Sequence, residues 1–303
     1  MANVADDVAV FTEHRPLLLG VAYRMLGSMA DAEDVAQEAW LRWSTVDKSA
    51  VADPKAYLIT TVSRLSIDWL RKVSGQRKVY TGEWLPEPVS TEPGASERAE
   101  LADSVEFAML VVLETLSPLE RAVFVLREAF DLPFAEIAEV IGREEAATRQ
   151  LAKRAREHVA ARRPRFEVDR QRRREVTERF LAAAVQGDLG ALTELFASDV
   201  DLISDSGGRA KAPLRAIQGV DKVSRFLSAI SNEEAAQAFM ASLAAAPAKE
   251  FAFDLVDVNA APALVVYADG RPINVFAFVI ENGLIKTIYL VTNPDKLGHV
   301  TNR

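Results

Sequence analysis

The sequence contains no cysteine. Disulfides and thiolate metal sites are therefore excluded, and a reducing compartment suits the chain. Histidine is scarce, and His14, His158 and His299 lie far apart, so no metal site and no nucleophile–base motif can be read from spacing. No uninterrupted apolar run approaches the roughly 20 residues that a membrane helix needs. The N-terminus, MANVADDVAVFTEHRP, lacks a basic segment followed by an apolar one. A cytoplasmic location is expected, with no membrane partner. Positive charge is in deficit overall: 36 Lys and Arg face 44 Asp and Glu, a formal net charge of −8. That average disfavours nucleic acid only weakly, because binding follows local charge.

The charge that is present is unevenly placed. Between residues 149 and 174 stand Arg149, Lys153, Arg154, Arg156, Arg162, Arg163, Arg165, Arg170, Arg172, Arg173 and Arg174, opposed only by Glu157, Glu167 and Asp169. A smaller basic cluster holds Arg64, Arg71, Lys72, Arg77 and Lys78. Between the two lies an acidic run of Glu83, Glu87, Glu92, Glu97, Glu100, Asp103 and Glu106.

Apolar spacing organises the chain. Val10, Phe11, Leu17, Leu18, Val21, Ala22, Met25 and Leu26 recur at helical intervals and stop at Gly27-Ser28. Asp31 is expected to cap a second helix that runs to about Trp43. Ser44 to Asp53 reads as irregular, and Pro54 as the first turn of a third helix. Residues 74–96 read as linker. Helices resume over 98–160, with Ser117-Pro118 and Glu120 as an N-terminal signature, a break at Asp131-Leu132-Pro133, and helices at 134–141 and 145–162. After helices at 172–187 and 189–197, strands are expected at 200–205, 210–219, 251–258, 262–270, 272–283 and 284–293. Helices are expected at 220–230 and 233–245. Asp269-Gly270 and Asn282-Gly283 are hairpin dipeptides. An all-helical front is thus followed by an α+β domain.

Three stretches carry chemistry. In PFAEIAEVIGREEAATRQLAKRAREHV (133–159), Ile137-Ala138, Ile141-Gly142 and Leu151 have the spacing of a helix-turn-helix. Arg143 and Thr148 take positions that more often carry apolar residues. A helix at 145–159 in the major groove would turn Arg149, Gln150, Lys153 and Arg154 toward base edges and phosphates; the alternative is a helical hairpin with a solvated basic face. In DAEDVAQEAWLRW (31–43), Asp31, Asp34, Glu38 and Leu41 share one helical face, flanked by Val35 and Arg42. That stripe suits a positively charged partner helix, or is a solvated acidic face. In DPKAYLITTVSRLSIDWLRK (53–72), Tyr57, Thr61, Arg64, Asp68, Arg71 and Lys72 trace a polar stripe ending in positive charge. It suits an unstacked base and phosphates, or is a core aromatic beside an exposed helix end.

These stretches, in this order and followed by LSPLERAVFVLREAFDLPFAEIAEVIG, resemble bacterial sigma factors of the extracytoplasmic-function class, group IV of the sigma-70 family. The resemblance covers about residues 8–165. It implies a front domain (region 2) that binds the β′ clamp helices of the RNA polymerase core and opens the −10 element. It also implies a rear domain (region 4) that binds the −35 element and the β flap. Carried over by position, Asp31, Asp34, Val35, Gln37, Glu38 and Leu41 resemble the polymerase-docking helix. Ser44–Asp53 resembles the loop that captures a flipped base. Tyr57, Thr61, Arg64, Asp68, Arg71 and Lys72 resemble the melting and recognition helix. The implied organisation is region 2 at 1–75, an acidic linker at 76–100, region 4 at 101–168 and a C-terminal domain at 169–303.

The C-terminal pattern resembles the SnoaL-like and NTF2-like cone, which hosts cyclases, isomerases and binding modules alike; fold alone does not choose among them. The expected fold class is therefore multi-domain: two all-α sigma domains, then an α+β cone with a curved antiparallel sheet. A subgroup of these sigma factors carries such a tail and shares three clauses, which here read WLPEP (84–88), DSGGRAK (205–211) and NPDKL (293–297). In place of the subgroup's usual DGGGK, Ser206 replaces a glycine and Arg209 stands where lysine is common. The resemblance implies regulation in cis through Trp84, Leu85, Pro86, Asp205, Gly207, Gly208, Arg209, Lys211, Asn293, Pro294, Asp295 and Lys296. Trp84 and Leu85 are the least expected residues of a linker. They are predicted to pack on the tail near Asp205–Lys211 and to hold regions 2 and 4 closed; the alternative is a local cap on region 2. The acidic run around them resembles the sigma linker that threads the polymerase cleft, which implies that Glu83 and Glu87 stand in for nucleic acid there. No cofactor is expected and no catalysis is assigned. Open alternatives are a ligand-responsive one-component regulator, with Phe251, Phe253, Tyr267, Phe276 and Phe278 as cavity walls, and a cyclase or isomerase using Asp201, Asp205, Asp254 and Tyr267.

Overall fold

The computed structural model describes residues 4–77, 79–91, 105–162, 169–243 and 246–301. Lys78, Glu92, Glu97, Glu100, Asp103, Arg163, Arg165 and Glu167, and the side chain of Arg77, lie outside the described residues. The chain divides into two units, with a boundary after residue 78, inside the expected linker: one unit gathers residues 1–78, 96–101 and 109–163, the other 79–95, 102–108 and 164–303. The WLPEP clause therefore belongs with the C-terminal domain.

In the helical unit, α1 (Val4–Leu26), α2 (Met29–Thr45) and α3 (Pro54–Arg77) form a bundle. Gly27, at φ 70°, ends α1. The cap of α2 is Ser28, not Asp31: the Ser28 hydroxyl accepts the Asp31 N–H at 3.1 Å. Asp31 falls instead in the first turn, where its charge suits the helix dipole. Leu18, Ala22 and Met25 of α1, Met29, Ala32 and Ala39 of α2, and Leu58 and Val62 of α3 form the core. Trp43 donates its indole N–H to the Asp7 carbonyl at 3.0 Å. Lys48 lies 4.4 Å from the Trp43 ring centroid and pairs with Asp7 at 3.3 Å. These contacts anchor the loop after α2, which contains one 3₁₀ turn, Lys48–Ala50.

The same unit resumes at Met109, within α4 (Phe107–Glu114), and continues with α5 (Pro118–Phe124), a π turn (Val125–Ala129), α6 (Phe134–Ile141) and α7 (Glu145–Arg162). The expected capping box forms between Ser117 and Glu120. Gly142, at φ 64°, closes α6 and opens the turn into α7. Ile137, Ala138 and Ile141 of α6 bury with Ala152, Ala155 and Val159 of α7. Thr148 is fully buried, and its hydroxyl donates to the Glu144 carbonyl at 3.0 Å. A polar residue is accommodated there because its one donor is satisfied locally.

The C-terminal unit opens with α8 (Arg170–Gln186) and α9 (Leu189–Glu194), then β1 (Phe196–Asp205), β2 (Ile217–Gln218), α10 (Val220–Ile230), α11 (Glu233–Ser242), β3 (Phe251–Val258), β4 (Ala261–Ala268), β5 (Arg271–Glu281) and β6 (Leu284–Val291). The sheet order is β2-β1-β6-β5-β4-β3. It is mixed rather than wholly antiparallel, because β1 runs parallel to β6. Those strands lie at opposite ends of the domain's sequence, so no hairpin constrains their direction. The strand expected at 210–219 shrinks to Ile217–Gln218; Pro213 has no N–H for a ladder. Bulges interrupt β1, the β4–β5 pair and the β5–β6 pair, and bulges bend a sheet. Both predicted hairpin dipeptides form with positive φ at both residues. A third such turn, Asn259-Ala260 at φ 49° and 63°, was not legible because alanine gives no signal for the left-handed region. Phe180 of α8 fills the helix-covered face, with ring centroids 4.9 Å from Phe278 and 6.3 Å from Phe276.

Candidate nucleic-acid interface and linker-docking site

Helix α7 presents Arg149, Gln150, Lys153 and Arg154 in exposed positions, because the buried positions Thr148, Ala152 and Ala155 lie on its other side. Arg149 pairs with Glu145 and stands 4.7 Å from the Phe134 ring centroid; Lys153 reaches Glu157 at 3.8 Å. Exposed pairs of this kind contribute little to stability, so a phosphate can displace them at small cost. The basic run is divided between the two units. Arg170, Arg172, Arg173 and Arg174 belong to α8 of the other unit. There they pair with Asp257, Glu175 (2.9 Å), Glu106 (3.0 Å) and Glu178 (3.2 Å) respectively.

On α2, Asp34, Gln37, Glu38 and Leu41 are exposed, and Leu41 is 53% accessible although apolar. Val35 is the exception among the expected docking residues: at 4% accessibility it belongs to the bundle core. Its neighbours Ala36 and Ala39 are buried on the same side, so it supports the face from beneath.

The polar stripe of α3 is only partly open. Asp68 and Arg71 are exposed and pair at 3.1 Å, and Lys72 lies 5.4 Å from the Trp69 ring centroid. Tyr57 is half-buried against Trp43, with ring centroids 5.8 Å apart. Thr61, expected to face DNA, is 8% accessible, and its hydroxyl donates to the Tyr57 carbonyl at 2.8 Å. Arg64 donates from Nε to the Val140 carbonyl at 3.2 Å and from Nη2 to the Glu139 carbonyl at 2.8 Å. A cavity of about 420 Å³ beside this contact is lined by Tyr57, Thr61 and Arg64 of α3 and by Glu136 and Glu139 of α6, among others.

The linker-docking site is built around one buried carboxylate. Asp205, at the end of β1, is completely buried. Its oxygens accept the Tyr80 hydroxyl (2.6 Å), the Leu85 N–H (2.8 Å), the Gly207 N–H (3.0 Å) and the Lys296 ammonium (2.6 Å). Lys296 also donates to the Leu85 carbonyl and stands 3.7 Å from the Trp84 ring centroid. The indole thus covers an ammonium that is almost wholly removed from water, a geometry in which cation–π attraction is strong. Burial and the Asp205 hydrogen bond raise the Tyr80 phenol well above its ordinary value. Asn293 donates to the Tyr80 hydroxyl at 2.9 Å, and its carbonyl oxygen caps the turn Pro294–Lys296 that places the ammonium.

The prolines suit this docking because Pro86 and Pro88 bring no N–H into a buried strap. The Leu85 donor goes to Asp205 and the Val89 donor to the Asn259 side chain at 3.2 Å; the Asn259 N–H returns to the Val89 carbonyl at 3.0 Å. Glu87 is buried and pairs with His299, so it is not available as exposed linker charge, whereas Glu83 is exposed. In the glycine clause, Gly207 and Gly208 have φ 60° and 72°. A side chain at Gly207 would meet Asn293 at 2.6 Å, and one at Gly208 would meet Thr81 at 3.0 Å. Ser206 is tolerated because its φ is not left-handed, and its hydroxyl accepts the Gly208 N–H at 3.3 Å. Arg209 pairs with Asp295 at 3.1 Å in an exposed position, and Lys211 is exposed. The basic group that meets the strap is Lys296. Tyr80, His299 and Asn259 are partners that spacing did not flag, being single residues distant from the quoted clauses.

The residues named for a catalytic cavity do not converge. Asp205 is committed to the strap. Asp254 stands on edge strand β3, with β4, β5 and β6 between it and Asp201 on β1. Tyr267 is buried, and Phe253 is exposed. Phe276 and Phe278 pack on Phe180 as core, with Phe251 partly buried beside them. The Tyr289 phenol is pushed up to about 12 by burial and by the charge of Asp201.

Comparison with known proteins matches residues 10–76 to Sigma-70 region 2 and residues 106–159 to Sigma-70, region 4. The chain is 40% identical over 296 residues to the ECF RNA polymerase sigma factor SigJ of Mycobacterium tuberculosis, covering 96% of this chain and 93% of that protein. It is 31% identical over 292 residues to the probable ECF RNA polymerase sigma factor SigI of the same species, covering 95% and 94%. The crystal structure of the M. tuberculosis extracytoplasmic function sigma factor SigJ superposes with a TM-score of 0.75 at 37% identity, covering 99% of this chain and all of that one.

Proposed function

We propose, from the premise that the chain belongs to the extracytoplasmic-function RNA polymerase sigma factors, that its C-terminal domain regulates promoter-specific initiation in cis by gripping the segment between the two sigma domains. The observation that carries this reading is the docking of Leu85 and Trp84 on Asp205 and Lys296. The connection between regions 2 and 4 is thereby tied to the tail, and initiation draws on the freedom of that connection. The sigma domains imply RNA polymerase core and promoter DNA as partners.

Within that frame, Asp31, Asp34, Gln37, Glu38 and Leu41 dock the β′ clamp helices, with Val35 holding their helix from inside, and region 4 meets the β flap. Tyr57, Thr61, Arg64, Asp68, Arg71 and Lys72 serve −10 melting, in which protein stacking and pocket contacts replace base stacking at a few kcal/mol per extruded base. Arg149, Gln150, Lys153 and Arg154 serve the −35 element. The working limits are 1–75 for region 2, 76–100 for the linker, 101–168 for region 4 and 169–303 for the regulatory domain. No catalytic role is proposed. A small-molecule ligand of the C-terminal domain is a second partner class.

The test is run-off transcription with core polymerase, comparing the full chain with Trp84→Ala and Asp205→Asn. Altered promoter-specific transcript together with a more protease-sensitive strap supports regulation in cis. Unchanged transcript from proteins whose strap has been released would end it.

A further inference from the structure

Phe134 is the first residue of α6, the helix that precedes the turn of the helix-turn-helix, and its ring is half-exposed. Two guanidinium groups stand over that ring. Arg127 lies 5.2 Å and Arg149 4.7 Å from its centroid. The two arginines differ in how they are held. Arg127 donates to the Leu132 carbonyl at 3.0 Å and pairs with Asp131 at 3.1 Å, and its side chain is 32% accessible. The Arg149 side chain is 59% accessible and pairs with Glu145, one turn earlier on α7.

The backbone around Arg127 is unusual. A π turn, Val125–Ala129, leads into Asp131 at φ 50°, and the Leu132 N–H reaches back to the Leu126 carbonyl at 3.0 Å. A π turn and a non-glycine residue in the left-handed region each cost conformational energy, and both recur at functional sites. Here they bring the Leu132 carbonyl to Arg127 and so fix that cation against Phe134. The ring in turn limits where the Arg149 guanidinium can go. A cation held by a ring face is held through its charge, so its N–H donors stay free. Glu145 by contrast consumes those donors. It is an exposed partner four residues away and yields to a stronger acceptor at small cost. With Glu145 displaced, Phe134 still restrains the guanidinium. An arginine ordered before binding loses less side-chain entropy when it meets a base edge or a phosphate.

We propose that Phe134 is a positioning residue for −35 recognition: it couples the anchored Arg127 to Arg149 and holds the Arg149 donors ready for the major groove. Phe134 acts through Arg149, so its role rests on the reading of Arg149 as a −35 residue. It lies wholly within region 4 and involves neither the strap nor region 2.

The probe is the DNA duplex that the wild-type full-length chain, assembled with core polymerase, enriches from a pool of random sequence. Affinity of the holoenzyme for that duplex is measured against a scrambled one at a single fixed salt concentration. Phe134→Leu keeps apolar bulk and removes the ring. It should weaken this discrimination roughly three- to tenfold, within the range from an exposed to a desolvated cation–π contact. Phe134→Tyr keeps the ring face and should stay within about twofold of wild type. In an Arg149→Ala background Phe134→Leu should change nothing further, because the two residues act as one. Arg127→Ala leaves the ring in place; it too should weaken discrimination, and should cost nothing once Arg149 is alanine. Wild-type discrimination by Phe134→Leu, an equal loss from Phe134→Tyr, or an undiminished loss in the Arg149→Ala background would each overturn the positioning role. Should Phe134→Leu fail to fold, the Arg127→Ala and Arg149→Ala cycle decides: additive losses overturn the role, and non-additive losses support it. Wild-type discrimination by Arg149→Ala would overturn the role together with the −35 assignment of Arg149, whereas the other failures leave that assignment standing.

Discussion

The outer faces of α2 and α7 and the strap site of the C-terminal unit hold their charged side chains in opposite ways. In the helical unit the pairs Arg149–Glu145, Lys153–Glu157 and Arg42–Glu38 lie exposed. In the C-terminal unit Asp205–Lys296 and Glu87–His299 are buried. An exposed pair is in exchange with water and contributes little, so it yields readily to a phosphate or a partner helix. A buried pair commits both partners, because losing one strands the other in a medium of low dielectric. The first arrangement suits recognition and the second suits a latch. Arg64 lies between these extremes: it donates to backbone carbonyls, which are strong acceptors but carry only partial charge.

This contrast ranks the effects of mutation. Asp205→Ala should have the largest, since it leaves the Lys296 ammonium buried without its carboxylate. About 3–5 kcal/mol of stability should be lost from the C-terminal unit, read by denaturant unfolding, with the strap becoming cleavable at Glu83. A loss no larger than that of a surface substitution would contradict the latch. Trp84→Ala comes next, at about 1–2 kcal/mol. Hydrogen exchange of the Leu85 amide should then quicken by roughly 5–30-fold, while the amides of α7 stay as they were. Lys153→Ala should leave unfolding unchanged within about 0.5 kcal/mol. It should lower the slope of log affinity against log salt for promoter DNA by about 1; an unaltered slope would remove Lys153 from the phosphate contacts.

The smallest effect concerns pH. The folded Tyr80 phenol lies above its unfolded value of about 10. Its contribution is therefore complete below about pH 10 and is lost as pH rises through the higher folded value. Strap docking should be flat from pH 6 to 9 on account of Tyr80 and loosen in strongly alkaline solution. A phenolate titration of wild type against Tyr80→Phe isolates this group. A Tyr80 titration at the ordinary value would show that the Asp205 site is open.

Much of this was legible in the sequence wherever a local rule applied. The helix-turn-helix was readable because Ile137, Ala138, Ile141 and Gly142 keep a spacing that only helix geometry explains. The capping box at Ser117 and the hairpins at Asp269-Gly270 and Asn282-Gly283 formed where local chemistry favours them. Trp84 was marked by its contradiction of a polar linker, and it does pack on the tail. The identity of its cation was not legible. Arg209 and Lys211 sit in the glycine clause, yet Lys296 fills the role, because the turn capped by Asn293 delivers it to Asp205 from 91 residues away. Val35 misled for a related reason: adjacency to an exposed stripe does not place a residue on it.

By itself, then, the sequence determined the order of the domains, the helical faces, the tight turns and the family. All of these follow from short-range periodicity, from the φ preferences of glycine, asparagine and proline, and from motif order. Tertiary structure alone decided which faces are free and which partners meet. It turned Arg64 onto α6, divided the basic run between two units, aligned β1 parallel to β6, and closed Asp205 on a strap 120 residues earlier. Such assignments depend on burial and on the satisfaction of buried donors by groups far apart in the chain, which no local pattern records.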